Sequence, residues 1–210
     1  MPIKNLGQWH RLWLRVGAKG DPLNVWLNLI RRYAEPHRAY HTLGHIDHCL
    51  DELGISRHLA PHSDAIEFAL WYHDAVYDAT AKDNEEKSAE LAVKAINAIS
   101  LPENFANRVR NLILATKKHT APANNPDAQL LIDIDLAILG QNEKKFDEYE
   151  RQIREEYKEV PYEIFKTKRI EILESFLDRE HIYSTAFFRQ KYEERARENI
   201  GRSIVRLSHR

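Results

Sequence analysis

The chain has 210 residues, with 31 Lys and Arg against 32 Asp and Glu and a formal charge of −1, so it lacks the basic excess of a dedicated nucleic-acid binder. Hydrophobic residues at 43% and charged residues at 30% belong to a globular chain rather than a disordered one. A single cysteine, Cys49, excludes an internal disulfide framework and a multi-cysteine metal cluster, and the low counts of Gly (7) and Pro (8) argue against a many-turned β-sandwich.

Helix signals follow one another along the chain. Asp21-Pro22 pairs an N-cap with proline at the first helical position, opening a run to about Glu35, where Pro36 stops it. Ser63 is placed to cap a helix through Phe68, Leu70 and Trp71 to about Tyr77. Asp83 is placed to cap the next, with Glu85 and Glu86 in a first turn that favours carboxylates. Leu101-Pro102 opens a helix through Ile113, and Asn125-Pro126 opens one through Leu139 that Gly140 ends. Asn142 caps a charged amphipathic helix to about Val160, carrying Phe146, Tyr149, Ile153 and Tyr157 at spacings of three and four. Helical periodicity resumes after Pro161 and again from about Thr185 to the end. No alternating strand, internal repeat or Gly/Ser linker interrupts the pattern. The expectation is one all-α domain over 1–210 with roughly nine or ten helices. The part bearing a candidate metal site would lie at about 22–140, and the helices of about 142–209 would pack on it. The charge runs at 143–159 and 189–210 read as solvated faces laced with i,i+4 pairs, with a partner-binding helix as the alternative.

Residues 1–8 lack an apolar stretch behind a basic start, and the most apolar run, Leu130 to Leu139, contains two aspartates. Neither reads as a targeting or spanning segment, so a reduced, cytoplasmic setting without a membrane partner is expected.

Eleven histidines direct attention to metal chemistry. With a helix running from about His41, the residues His41, His45, His48 and Glu52 fall within a sector of about 60°. They follow one edge of the apolar face made by Ile46, Cys49, Leu50 and Leu53; a histidine-rich polar edge is the bland alternative. His73-Asp74 lies among Ala69, Leu70, Trp71, Ala75 and Val76, where an ionised aspartate and an imidazole need partners. Asp133 and Asp135 stand in the apolar run 130–139. Positions i and i+2 point about 200° apart on a helix, so only one can face a given site; salt bridges are their alternative use. Imidazoles and carboxylates gathered from three helices suit a divalent ion such as Mn, Fe, Co, Ni, Zn or Mg.

The order His45, His73-Asp74, Asp135 in a helical chain resembles the HD-domain superfamily of metal-dependent phosphohydrolases. Tyr40-His41-Thr42-Leu43-Gly44-His45-Ile46 is similar to a Tyr-His-Asn-x-x-His-Ala motif of the cyclic-nucleotide phosphodiesterases. The runs Glu35 to His41 and Asp83 to Ala89 resemble a bacterial subgroup of predicted phosphohydrolases of that superfamily. The resemblance implies His45, His73, Asp74 and Asp135 as metal ligands, with Asp135 preferred to Asp133, and His41 as general acid. Where the phosphodiesterases carry a further histidine, this chain has Tyr77, which weighs against a two-metal site built from many histidines. His119, Lys117 and Lys118 are then candidates for holding a substrate phosphate, or else complement a helix C-terminus. Glu86 and Lys87 are candidates for lining the pocket, or else serve the dipole of a first turn.

The expected activity is hydrolysis of a small phosphomonoester or phosphodiester, a nucleotide above all, with Asp74 orienting the nucleophile as well as ligating and His41 protonating the leaving group. The alternatives are a helical ligand-binding or regulatory module with a structural metal, and a di-iron oxygenase of the same fold. The expected partner is a small phosphorylated substrate, with no nucleic acid and with a homodimer left open.

Overall fold

In a computed structural model, residues 2–209 are described, and among them the chain is all-helical. Ten α-helices follow in order: α1 (Pro2–Val16), α2 (Pro22–Tyr33), α3 (Leu43–Ser56), α4 (Ser63–Tyr72), α5 (Asn84–Ala98), α6 (Glu103–Thr116), α7 (Pro126–Asp135), α8 (Glu143–Glu156), α9 (Tyr162–Leu177) and α10 (Ala186–Ser208), with short 3-10 turns at Arg57–Leu59 and Leu136–Ile138. No helix among the described residues is long and apolar enough to cross a membrane. The chain divides into two compact units, 1–132 and 133–210, and the division falls inside α7, which is one unbroken helix.

The first unit is organised around α4. Residues Ala65 to Tyr72 are buried on every side, because α1, α3, α5 and α6 all pack against this helix. A helix enclosed in this way has no polar face to spend, which is why its sequence is nearly all apolar. Its buried exception, Glu67, is met by Arg15 from α1 and by Arg57, which also hold Asp64. Trp9 fills the space between α1 and α4, with ring centroids 5.6 Å from Trp71 and 5.7 Å from Phe68, and its indole N–H donates to the Pro22 carbonyl at 2.8 Å.

Several helix ends depart from the sequence reading, each for a visible reason. Ser63 is the first residue of α4 rather than its cap; the cap is His62, whose N–H and Nδ1 are held by the Asp127 carboxylate at 3.0 and 2.8 Å. The helix also stops at Tyr72 instead of Tyr77, so His73 closes it and Asp74 lies beyond it. His41 is not helical: α3 starts at Leu43, capped by extended Thr42, whose hydroxyl accepts from the Gly44 N–H. Asp83 caps α5 through its backbone carbonyl, which accepts from Lys87 N, rather than through its side chain.

In the second unit, the run expected to stay α-helical to Leu139 tightens into the 3-10 turn after Asp135. Asn142 caps α8 as its residue type predicts, accepting from Lys145 N at 3.0 Å. That helix ends at Glu156 rather than near Val160, where Arg154 gathers the Tyr157 and Val160 carbonyls. Buried Tyr183, Phe188, Ile200, Leu173 and Phe146 form the apolar interior. A polar link joins α8, α9 and α10: buried Arg169 pairs with Glu150 and donates to the Tyr149 hydroxyl, and the Ser203 hydroxyl donates to Glu150. Asn199 donates to the carbonyls of Leu139 and Gln141 at 2.8 Å each, securing the turn that precedes α8.

Candidate metal centre

Three side chains of the first unit converge at the end of α4. His45 is the third residue of α3, His73 closes α4, and Asp74 follows it. His45 Nε2 and His73 Nε2 are 3.1 Å apart; Asp74 Oδ2 is 3.0 Å from His73 Nε2 and 3.5 Å from His45 Nε2. Ligands about 2.1 Å from a common ion and about 90–110° apart are separated by about 3.0–3.4 Å. The triangle therefore has the edge lengths of one face of a divalent coordination sphere.

The protonation pattern suits that use. His73 Nδ1 lies 2.9 Å from the Leu70 carbonyl, a contact that requires a proton on Nδ1 and leaves Nε2 as a bare lone pair in the neutral ring. His45 Nε2 faces that lone pair and the Asp74 carboxylate together. Burial pushes the Asp74 carboxyl up, but when the rings of His73, His41 and His45 are protonated their positive charge outweighs it and holds the carboxyl well below the usual carboxylate range; when His73 is neutral, its bare Nε2 faces the Asp74 oxygen at 3.0 Å, an arrangement a cation would satisfy. The histidine side chains are 1% exposed and that of Asp74 is 20% exposed, so the triangle is closed behind the rings and opens at the carboxylate.

In the first unit, His45 and His73 are of the residue types and in the arrangement that could hold a metal ion. Asp135 is the last residue of α7. Asp133, two residues earlier, is fully buried and committed elsewhere. Its Oδ1 accepts from Ser184 N, and its Oδ2 accepts from Thr185 N and the Thr185 hydroxyl, each at 2.7 Å.

His41 sits on the turn before α3. Its ring stacks on Tyr77 at 4.2 Å between centroids and meets the edge of Tyr40 at 5.0 Å and of His45 at 6.0 Å. Cys49, one turn after His45, places its sulfur 3.7 and 3.8 Å from the two ring nitrogens of that histidine.

The residues expected to hold substrate are distributed differently. Lys117 pairs with Glu86 and also donates to the Lys82 carbonyl at 2.8 Å, so α5 and α6 bring these two together. Lys87 pairs with Asp83 at 2.9 Å. Lys118 is exposed, and His119 is half-buried with a left-handed backbone, φ 46°. Sequence reasoning passed over Arg38, which is buried beside the site and donates to the carbonyls of both His41 and Asp74; only its place inside the Glu35 to His41 run hinted at a role. No protein-family model, curated protein or solved structure matches this chain.

Proposed function

We propose that the chain is a metal-dependent phosphohydrolase of the HD type, acting on a small phosphomonoester or phosphodiester such as a nucleotide. The observation that carries the reading is the His45, His73 and Asp74 triangle, with ligand-like edges of 3.0 to 3.5 Å and one exposed corner. His45, His73 and Asp74 would hold a divalent ion from the series Mn, Fe, Co, Ni, Zn and Mg, with Asp135 the further ligand that the resemblance implies. When bound, such an ion lowers the pKa of water from about 15.7 towards 7 and polarises a phosphoryl oxygen.

The chain's own groups account for the remaining work. Asp74, ionised and partly exposed, orients a water molecule at the open corner through its free lone pairs. His41, whose ring centroid lies 6.0 Å from that of His45, supplies a proton to the departing alkoxide. The stack on Tyr77 fixes the plane of that imidazole. A structural metal would favour a closed shell, and the exposed Asp74 corner favours a catalytic one. The reduced thiol of Cys49, buried against His45, suits the cytoplasm.

The test is a screen of nucleotides and sugar phosphates after chelation and reloading with each divalent ion, with elemental analysis of the same preparations. Wild type should hold one ion per chain and release phosphate, and the His73→Ala/Asp74→Ala double variant should do neither. Equal metal content in the two proteins would overturn the ligand assignment, and wild type that is loaded but inert on every phosphoester would overturn the activity.

A further inference from the structure

Arg38 is a cation with a completely buried side chain, and burying a charge without a fully matched partner is costly. Its carboxylate partner Glu35, at 3.0 Å from Nε, is itself partly exposed. The rest of the guanidinium is spent on backbone oxygens. Nη1 donates to the His41 carbonyl at 3.0 Å and to the Asp74 carbonyl at 2.7 Å, and Nη2 donates to the Ala75 carbonyl at 3.3 Å. The rings of Tyr33 and Tyr77 lie 5.3 and 5.5 Å from the guanidinium carbon.

Two hydrogens of one nitrogen therefore hold the backbone of His41 and that of Asp74. We propose that Arg38 is a positioning residue that sets His41 against Asp74, with Tyr77 as the plate on which the imidazole lies; the inference rests on the phosphohydrolase reading and assigns how its acid is placed. His41 precedes the cap of α3 and belongs to no helix. Two further contacts fasten the same turn to the same segment: His37 Nε2 lies 2.9 Å from the Tyr77 carbonyl, and His41 stacks on the Tyr77 ring. A guanidinium that only capped the end of α4 would need the Asp74 and Ala75 carbonyls alone. The bond to the His41 carbonyl is what joins the acid to the metal-binding segment. Arg38 touches neither water nor substrate in this scheme and acts through His41.

The experiment uses the full chain as wild type, Arg38→Met, Arg38→Lys, Tyr77→Leu, His41→Ala and the Arg38→Met/His41→Ala pair. Three readouts are taken: zinc affinity by chelator competition, turnover of phenyl and nitrophenyl phosphates after metal loading, and the NMR shifts of the His41 ring protons at fixed pH. Arg38→Met should hold zinc within about threefold of wild type and lose about 10²-fold in kcat on the phenyl ester, the scale of a general acid. It should lose much less on the nitrophenyl ester, whose leaving group needs little protonation. The pair should be no slower than His41→Ala, because both changes remove one function. Arg38→Lys, which can still reach a carbonyl, should recover part of the loss. The upfield shift of His41 from the Tyr77 ring should collapse in Arg38→Met and fall partway in Arg38→Lys, which carries the test if Arg38→Met does not fold; Tyr77→Leu supplies the shift of His41 with no ring beneath it. An unchanged His41 shift in Arg38→Met, or losses that multiply in the pair, would overturn the positioning role while leaving the hydrolase reading intact. Wild type inert on both esters would count against the hydrolase reading, and the NMR shifts would still decide whether Arg38 places His41.

Discussion

Asp133 and Asp135 share one helix two residues apart, so an alanine at each separates a carboxylate that builds the fold from one proposed as a metal ligand. Asp133→Ala would leave two N–H groups and the Thr185 hydroxyl without the acceptor they now reach at 2.7 Å. That hydroxyl also caps α10 by accepting from Phe188 N, so the damage extends into the longest helix. Hydrogen bonds to a charged group contribute about 1.5–3 kcal/mol each, yet removing one member of a buried charged cluster costs about 3–5 kcal/mol in all, because the contributions overlap. Burial works in the other direction: it pushes the Asp133 carboxyl up to about 6 despite three donors, so the ionised group is already costly at neutral pH. The lower end, about 3 kcal/mol, is the expected loss, equivalent to about 6–12 °C in Tm for a chain of this size. The folded value lies above the ordinary 3.8, so the stabilising form is the protonated one. Its contribution is full below about pH 4 and is lost as pH rises through about 6; wild type should therefore gain stability from about pH 7 to about pH 5 through this group, and Asp133→Ala should lack that part of the gain. Urea unfolding and elemental analysis on the same samples check both arms. Asp133→Ala should keep its metal, and Asp135→Ala should lose it with a smaller change in the stability of the metal-free protein. Metal lost from Asp133→Ala with a stability change under about 1 kcal/mol, an ordinary value for any substitution, would refute the division of roles.

His41→Ala should retain the metal and lose at least about 10²-fold in kcat on substrates with poor leaving groups, measured by steady-state kinetics; loss of metal together with activity would make His41 a ligand. Gly140→Ala should destabilise the protein by about 1–3 kcal/mol in thermal unfolding, because the added Cβ would lie 2.4 Å from Tyr192 Cβ. Asp64 is held below its ordinary value, with burial opposing and the Arg15 and Arg57 guanidinium groups prevailing. Its contribution is therefore present above about pH 4 and lost as pH falls through its lowered folded value, and Asp64→Asn should flatten the acid limb of a stability–pH curve.

The parts of this fold that were legible in the sequence are those fixed by neighbours in the chain. Asp21 accepts from Leu23 N, Asn142 from Lys145 N and Thr185 from Phe188 N, all as residue type alone suggests. The α1 helix passed without notice although Trp9, Leu12 and Trp13 on it are buried; it has no acidic first turn to announce it, and only its apolar spacing could have done so. His45, His73 and Asp74 were singled out by type, since imidazoles and carboxylates in apolar surroundings need partners whatever the geometry, and the structure brings the three together. Their arrangement was not legible. Of the groups assigned to the chemistry, only His45 lies within a helix away from its last residue. His41 precedes a cap, His73 closes α4, Asp74 lies past its end, and Asp135 is the final residue of α7. Helix ends are where local propensity is weakest and distant partners decide. Asp127 reaches His62 across 65 residues to start α4, and Arg38 takes the carbonyls of Asp74 and Ala75 just beyond its end. Nothing near His73 foretold that Arg38 would hold the backbone of Asp74 and Ala75 at the point where the chain leaves the helix. Contacts at the two ends of α4 thus limit its length, and that length sets where His73 and Asp74 emerge.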